Sequence, residues 1–253
     1  MRFASLGSGS RGNATLIEAG ATCLMLDCGF SVTEVERRLA RLGKRAEQIT
    51  AVLVTHEHAD HIRGVGPLVR KFGMPVWMTG GTAQVPQAVT GGALRVFNPH
   101  ERFALGDIQV DPFPVPHDAR EPCQFVFSDG ARRLGVLTDT GSLTDCIRRA
   151  LDRCDALLLE CNHDARMLAT GRYPPALKAR VGGRVGHLSN RQAATLLSGI
   201  DTDDLQHLVA AHLSEKNNRP ELARAALAAA LACDADWIGV ATQTGGLDWR
   251  DIF

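Results

Sequence analysis

The sequence has no excess of either charge: 28 basic and 28 acidic residues balance over 253 positions. That balance excludes a chain-wide electrostatic footprint for nucleic acid. Paired cysteines are missing as well. The seven cysteines (Cys23, Cys28, Cys123, Cys146, Cys154, Cys161 and Cys233) are odd in number and scattered, with no C-x-x-C pair among them. A disulfide framework is thereby excluded, and the cysteines read as buried thiols of a reducing compartment. No apolar run approaches the length of a membrane span, and Met1–Leu6 reads as a strand, not a signal core. The expected location is cytoplasmic, with no membrane partner. The glycine and serine loop from Leu6 to Thr15 lacks the G-K-[ST] ending of a nucleotide-triphosphate loop. No linker or low-complexity segment interrupts the chain, so residues 1–253 read as a single domain. At 45% hydrophobic, it is long enough for one large core.

What is present is an alternation of strands and helices. Strands are expected at Phe3–Leu6, Ala14–Glu18, Thr22–Asp27, Ala51–Thr55, Val76–Met78, Leu94–Phe97, Ile108–Val115, Cys123–Phe127, Leu134–Thr138, Ala156–Glu160, His207–Ala211 and Trp237–Val240. Helices are expected at Val32–Leu42, opened by a capping box Ser31 to Glu34, and at Gly64–Phe72, Leu143–Asp152, Arg191–Ser198 and Pro220–Leu231. Strand groups punctuated by helices give an α/β (α+β) chain with two packed sheets and helices outside, a four-layer αβ/βα sandwich. The tail from Trp249 to Phe253 covers either a core edge or a partner.

The run V-T-H-E-H-A-D-H places His56, His58, Asp60 and His61 directly after an apolar strand. Side chains alternate along an extended segment, so His56 and His58 project to the same side. Asp60 and His61 fall at the start of the next helix, facing a second position a few ångströms away. Imidazole nitrogen with carboxylate oxygen suits zinc, and also manganese or iron, far better than calcium or magnesium.

The pattern H-x-H-x-D-H resembles the signature of the metallo-β-lactamase superfamily, whose fold is the four-layer sandwich. The resemblance extends along the chain: His117, Asp139 and His212 each follow an expected strand, in the family's order. It implies two divalent metal ions, with His56, His58 and His117 on the first, Asp60, His61 and His212 on the second, and Asp139 bridging them. It also implies two similar halves. In such sites a bridged pair of ions, about 3.5–4 Å apart, lowers the pKa of a shared water and clamps the attacking and leaving oxygens. The expected reaction is hydrolysis by that bridging hydroxide, with Asp60 orienting it.

Several segments favour a phosphoester. His187, in Gly186-His187-Leu188-Ser189, is not needed for metal; it resembles the extra histidine of ribonuclease Z and related phosphodiesterases, which serves the leaving oxygen. Glu160, at the end of its strand, is the candidate acidic partner. The alternative is that Ser189 caps a helix and His187 is incidental. Ser214, Asn217 and Asn218, straight after His212, are candidate donors to phosphate oxygens, or an ordinary polar loop. The first loop, with Ser10 and Asn13, offers donors to a phosphate or is a tight turn. From His163 to Arg191 there are six basic residues and one acid, forming a basic rim or a solvated face. Tyr173-Pro174-Pro175 within it stacks on a base or makes a surface turn.

The motifs G-S-G-S-x-G-N-A-T, E-C-N-H-D, G-H-L-S-N and H-L-S-E-K-N-N are similar to those of the bacterial YycJ/WalJ-type group, regarded as single-strand or 5′-end DNA exonucleases. That implies nucleic acid, DNA in particular, as the substrate partner, and a role in DNA metabolism such as repair. No β-CASP cap or tRNA-clamping arm is recognisable, which disfavours long-RNA processing and tRNA maturation. Two other readings stay open: a cyclic phosphodiesterase or thioesterase of the same fold, and a non-catalytic metal-binding regulatory module. Homo-oligomerisation, polarity of cleavage and the physiological metal are left open.

Overall fold

Most central strands of this protein are apolar on both faces, so each must be covered on both sides. In the computed structural model, which describes residues 1–84 and 94–253, two seven-stranded sheets meet this requirement by packing against each other. The first sheet takes β1 (Arg2–Gly7), β2 (Ala14–Ala19), β3 (Thr22–Leu26), β4 (Ala51–Leu53), β5 (Val76–Thr79) and β6 (Leu94–Phe97). The second takes β7 (Phe103–Leu105), β8 (Ile108–Pro114), β9 (Cys123–Ser128), β10 (Arg133–Leu137), β11 (Ala156–Glu160), β12 (His207–Ala211) and β13 (Gly239–Val240). The last strand, β14 (Leu247–Asp251), returns to the first sheet as its edge beside β1.

Successive residues on one strand serve different cores. Leu16, Met25 and Val52 face the helices α1 (Val32–Arg41) and α3 (Val65–Phe72), whereas Ile17, Leu24 and Leu53 face the opposite sheet. In the second sheet Leu158 and Val209 point to the middle layer. Leu157 and Leu208 point to the outer helices α5 (Asp145–Leu151), α8 (Asn190–Leu197) and α9 (Pro220–Leu231). The order helix, sheet, sheet, helix is the expected αβ/βα sandwich. Short helices α2 (Ala59–Ile62), α4 (Gly80–Ala83), α6 (Ala165–Thr170) and α7 (Pro175–Val181) lie in the connections.

The structure corrects several local expectations. The Trp237–Val240 strand is shortened to Gly239–Val240, because Asp234 caps a 3₁₀ turn at Ala235–Trp237 by accepting from Asp236 N. Ser31 caps α1, but the box is not closed: the Glu34 carboxylate turns to Arg37 and Arg38, which offer charged donors. Cys233 is exposed, unlike the expected buried thiol. The tail covers a core edge: Ile252 is buried and its amide donates to Met1 O. Among the described residues no helix is long and apolar enough to cross a membrane.

The architecture positions chemistry by aligning strand ends. β10, β11 and β12 run parallel, with Leu137 opposite Leu159 and Glu160 opposite Ala211. The residues that follow, Asp139 and His212, therefore emerge at one edge beside Glu160. β3 and β4 are parallel too, with Leu26 opposite Leu53, which brings Asp27 to the Thr55–His61 segment.

Candidate metal centre

Six imidazoles gather where those strand ends meet. His56 stands 4.6 Å from His58, 4.2 Å from His61 and 4.9 Å from His117, between ring centroids. His61 reaches His212 at 5.7 Å, and His187 lies 5.2 Å from His212 and 5.3 Å from His117. The chain makes this possible by sharp turns. Asp27, Asp139 and His212 all take left-handed backbone conformations, with φ of 60°, 50° and 53°. Each costs on the order of 1 kcal/mol or more and persists because the surroundings hold it. At Gly29 a Cβ would stand 1.9 Å from Asp60 O, so only glycine lets this loop lie against the helix carrying Asp60 and His61.

The seven residues expected to hold metal are all brought together. Donor atoms of His56, His58 and His117 lie within 4.8 Å of one another, as do those of Asp60, His61 and His212. Asp139 sits between the sets: its Oδ2 is 3.1 Å from His61 Nε2, and its Oδ1 is 3.8 Å from His117 Nε2. Asp60 Oδ2 is 3.5 Å from both His61 Nε2 and His212 Nε2.

Hydrogen bonds fix which nitrogen of each ring points inward. His61 Nδ1 is held by Asp27 Oδ2 at 2.8 Å, His117 Nδ1 by Gly186 O at 3.0 Å and His212 Nδ1 by Glu160 Oε1 at 3.1 Å. His56 Nδ1 has Thr55 Oγ1 at 2.9 Å. Each ring therefore turns Nε2 to the centre, and His56 Nε2, His212 Nε2 and Asp139 Oδ2 are buried with no hydrogen bond. Buried polar atoms that converge without hydrogen-bond partners are costly in a protein alone, and cations between them satisfy them. By this test the donor set fits divalent metal.

Charge reinforces that reading. Burial works to raise the pKa of Asp139, yet His212 and His61 hold it well below the usual carboxylate value. Asp60, likewise opposed by burial, is held low by His61 and His212. Burial works to lower His61 and His212, but Asp139 and neighbouring carboxylates raise both, His212 to about 10. His56 is pushed down by burial and by the charge on His61.

Glu160 is the expected partner of His187: His187 Nδ1 lies 2.8 Å from Glu160 Oε1. The carboxylate does more than the sequence suggested. Fully buried, it also accepts from His212 Nδ1 and from the amides of Asp139, Thr140 and Leu188. Burial would raise it, but His187 and His212 bring it down to about 2. Ser189 does cap α8, in a capping box with Gln192, and this leaves His187 on the cleft wall.

The candidate phosphate donors fare differently. Ser10 is exposed and lines the cleft above the cluster. Asn13 is buried and turned onto the expected ligands, 3.3 Å from Asp60 Oδ2 and 3.1 Å from His61 Nε2. Asn218 is corrected to a structural lock. Its amide donates to Cys161 O at 2.6 Å and to Asn190 Oδ1 at 2.8 Å, and Asn190 donates back at 2.9 Å. Asn217, 1% exposed, and Ser214 bond each other behind His212, and neither lines the metal cleft. Replacing Asn218 by alanine is expected to cost about 2 kcal/mol by stranding buried partners, seen as a fall in Tm of several degrees. An unchanged melt would refute the lock.

Of the six basic residues between His163 and Arg191, Arg180 lines the cleft, its Nε bonded to Asp118 Oδ2 at 2.6 Å. The cleft also takes in Tyr173 and Leu177. Asp27 and Thr55 escaped the sequence reading. Asp27 accepts from Thr55 N and Oγ1 as well as facing His61. Its signal was present, a carboxylate at a strand end like Asp139 and Glu160.

With this geometry in view, the comparisons with known proteins are decisive. A family model described as the β-lactamase superfamily domain matches residues 22–212. This chain belongs to the metallo-β-lactamase superfamily. It is 34% identical to an exodeoxyribonuclease YycJ of Bacillus anthracis over 98% of this chain and 96% of that one. It is 33% identical to an exodeoxyribonuclease WalJ of Streptococcus pneumoniae, over 91% and 88% of the two chains. Among solved structures, the metallo-β-lactamase fold protein YhfI of Bacillus subtilis superposes with a TM-score of 0.75, covering 99% of each chain at 16% identity. That last likeness speaks for the metallo-β-lactamase fold alone.

Proposed function

We propose that this protein is a metal-dependent phosphodiesterase acting on DNA, an exonuclease directed to 5′ ends or single strands. The observation that carries the reading is His187. It is a histidine outside the seven-residue ligand set, half-buried on the cleft wall and braced through Nδ1 by a fully buried carboxylate. A metallohydrolase that needs no general acid has no use for it. The names of the YycJ and WalJ relatives support the same substrate class.

Two divalent ions, zinc or else manganese or iron, would be held by His56, His58 and His117, by Asp60, His61 and His212, and by Asp139 between them. When bound they would supply an acidified water and neutralise charge growing on the phosphoryl oxygens. The chain's own residues do the rest. Asp60 orients the water in line with the scissile bond. Glu160 fixes the His187 tautomer with Nδ1 engaged, leaving Nε2 for the substrate, and raises the pKa of that ring against the effect of burial. His187 Nε2 then gives its proton to the leaving oxygen. Ser10, which lines the same cleft, would donate to a phosphoryl oxygen.

The test is hydrolysis of bis(p-nitrophenyl) phosphate by protein loaded separately with zinc and manganese, followed by end-labelled single- and double-stranded DNA and RNA. Turnover lost on Asp60→Asn is expected. His187→Ala is expected to lower kcat by about a hundredfold to ten-thousandfold with the metal content retained. Full activity in the metal-loaded alanine protein would remove His187 from the mechanism. No turnover with either metal, in protein holding two ions, would move the reading to thioester hydrolysis or to binding without catalysis.

A further inference from the structure

We infer that Tyr173, Leu177 and Val181 form a stacking platform for one unpaired nucleobase of the substrate, beside the metal cluster. The inference rests on the phosphodiesterase reading above. Tyr173, the only tyrosine in the chain, sits just ahead of α7 and lines the same cleft as His58, Asp60 and His187. Leu177 and Val181 follow at successive spacings of four and line that cleft too, so one apolar stripe faces the metal ligands. The stripe is at odds with an ordinary core helix: no residue of α7 is buried, and Tyr173 and Leu177 are half-exposed. An apolar stripe left open to a polar cleft fits a flat, apolar-faced ligand group.

Charge narrows the ligand further. The Lys216 ammonium stands 5.7 Å from the Tyr173 ring centroid, and Arg180 at the rim is bonded to Asp118. An aromatic face with one cation beside it, in a cleft that also holds Arg180, suits a base that carries a phosphate. A lipid or acyl chain would want the apolar stripe without the cations.

The platform is rigidly joined to the catalytic groups. His187 N donates to Val181 O at 2.8 Å, Asp118 N donates to Val185 O at 3.0 Å, and His117 Nδ1 bonds Gly186 O. Gly141 allows this contact: a Cβ there would stand 2.4 Å from Gly186 N. The stripe, His187 and the ligand His117 thus move as one piece, and a base seated on Tyr173 fixes the phosphate with respect to His187. In a duplex both faces of a base are already stacked. The platform therefore takes a strand end or a single strand, with little preference among bases.

The experiment compares three p-nitrophenyl phosphodiesters in the metal-loaded protein: those of thymidine at its 5′ and 3′ oxygens, and the methyl ester, which has no base. At least one thymidine ester is expected to exceed the methyl ester in kcat/KM by about tenfold or more, chiefly through KM. In Tyr173→Ala this ratio should fall close to one, and Tyr173→Trp should restore it. Damage to the fold or to metal binding would lower both esters alike and leave the ratio standing, so the ratio isolates stacking. The dissociation constants of a short thymidylate strand and its abasic counterpart, measured by calorimetry, should show the same loss. A wild-type ratio near one, or a ratio unchanged in Tyr173→Ala, overturns the platform while leaving the phosphodiesterase intact. Absence of turnover of all three esters by the wild-type protein would remove the phosphodiesterase reading, and the platform with it.

Discussion

Replacing Glu160 by glutamine is expected to lower phosphodiester turnover by roughly a thousandfold, a loss of the same order as that from His187→Ala but joined by a loss of metal affinity, because two functions hang on one carboxylate. Oε1 holds His187 Nδ1, His212 Nδ1 and the Asp139 amide, while Oε2 takes the amides of Thr140 and Leu188. All five contacts are donors, and glutamine has one acceptor oxygen to offer them. With its nitrogen toward Thr140 and Leu188, two buried amides face a donor. With its nitrogen toward the histidines, each ring must accept at Nδ1 and move its proton to Nε2, which destroys His212 as a ligand and His187 as an oriented acid. Either arrangement costs about 1–3 kcal/mol for each opposed donor. The loss should therefore appear three ways: in kcat, in a metal affinity weakened by about 10- to 100-fold, and in a lowered Tm. Measuring turnover together with bound metal separates the first two. A glutamine variant with wild-type kcat and two ions would show that Glu160 is a packing residue only.

Glu160 was legible in the sequence, and the reason is geometric. Parallel strands that are apolar on both faces read as continuous runs, such as Leu157-Leu158-Leu159, and each ends at the same edge of its sheet. A polar residue just past such a run is therefore placed without knowing the rest of the fold. Asp139 and His212, implied by the family resemblance, stand just past such runs as Glu160 does, and Asp27 met the same criterion; His117 follows the antiparallel β8 and was placed by the resemblance alone. What failed was direction after the turn. His212 takes a left-handed conformation, so the chain reverses and tucks Ser214, Asn217 and Asn218 behind the ligand, where they bond to one another and to Asn190 and Cys161. A polar residue that binds phosphate and one that locks a buried loop look the same in sequence. The short helices α6 and α7 were missed for a related reason. Neither is long enough to show a helical period, and α7 buries no residue, so its apolar stripe at Leu177 and Val181 carried no core signal.

Stripping the metal is expected to destabilise the protein by several kcal/mol and to reverse how its stability depends on pH. In the metal-free cluster, burial opposes charge on His61 and His212, but the carboxylates around them, Asp139 foremost, raise both, His212 to about 10. Because those folded-state values lie above the ordinary histidine value near 6.5, their contribution to stability is fully present below about pH 6.5. It is lost as the pH climbs through the raised values. Asp60 and Asp139 are depressed, so their contribution persists at neutral pH and goes only in acid. His56, pushed down by burial, is already neutral and has no proton to lose there. The metal-free protein should therefore lose Tm steadily from pH 7 to 10. The loaded protein behaves oppositely over the lower part of that range. Its ligands must be neutral imidazoles, so loading at pH 7 should expel about two protons per chain, from His61 and His212, and tighten as the pH rises. Calorimetric titration with zinc in buffers of different ionisation enthalpy counts those protons, and melts with and without chelator give the widening gap in Tm. Metal uptake that releases no proton, or a metal-free protein whose Tm rises from pH 7 to 9, would show that the His61 and His212 charges are not what balances the buried carboxylates of the empty cluster.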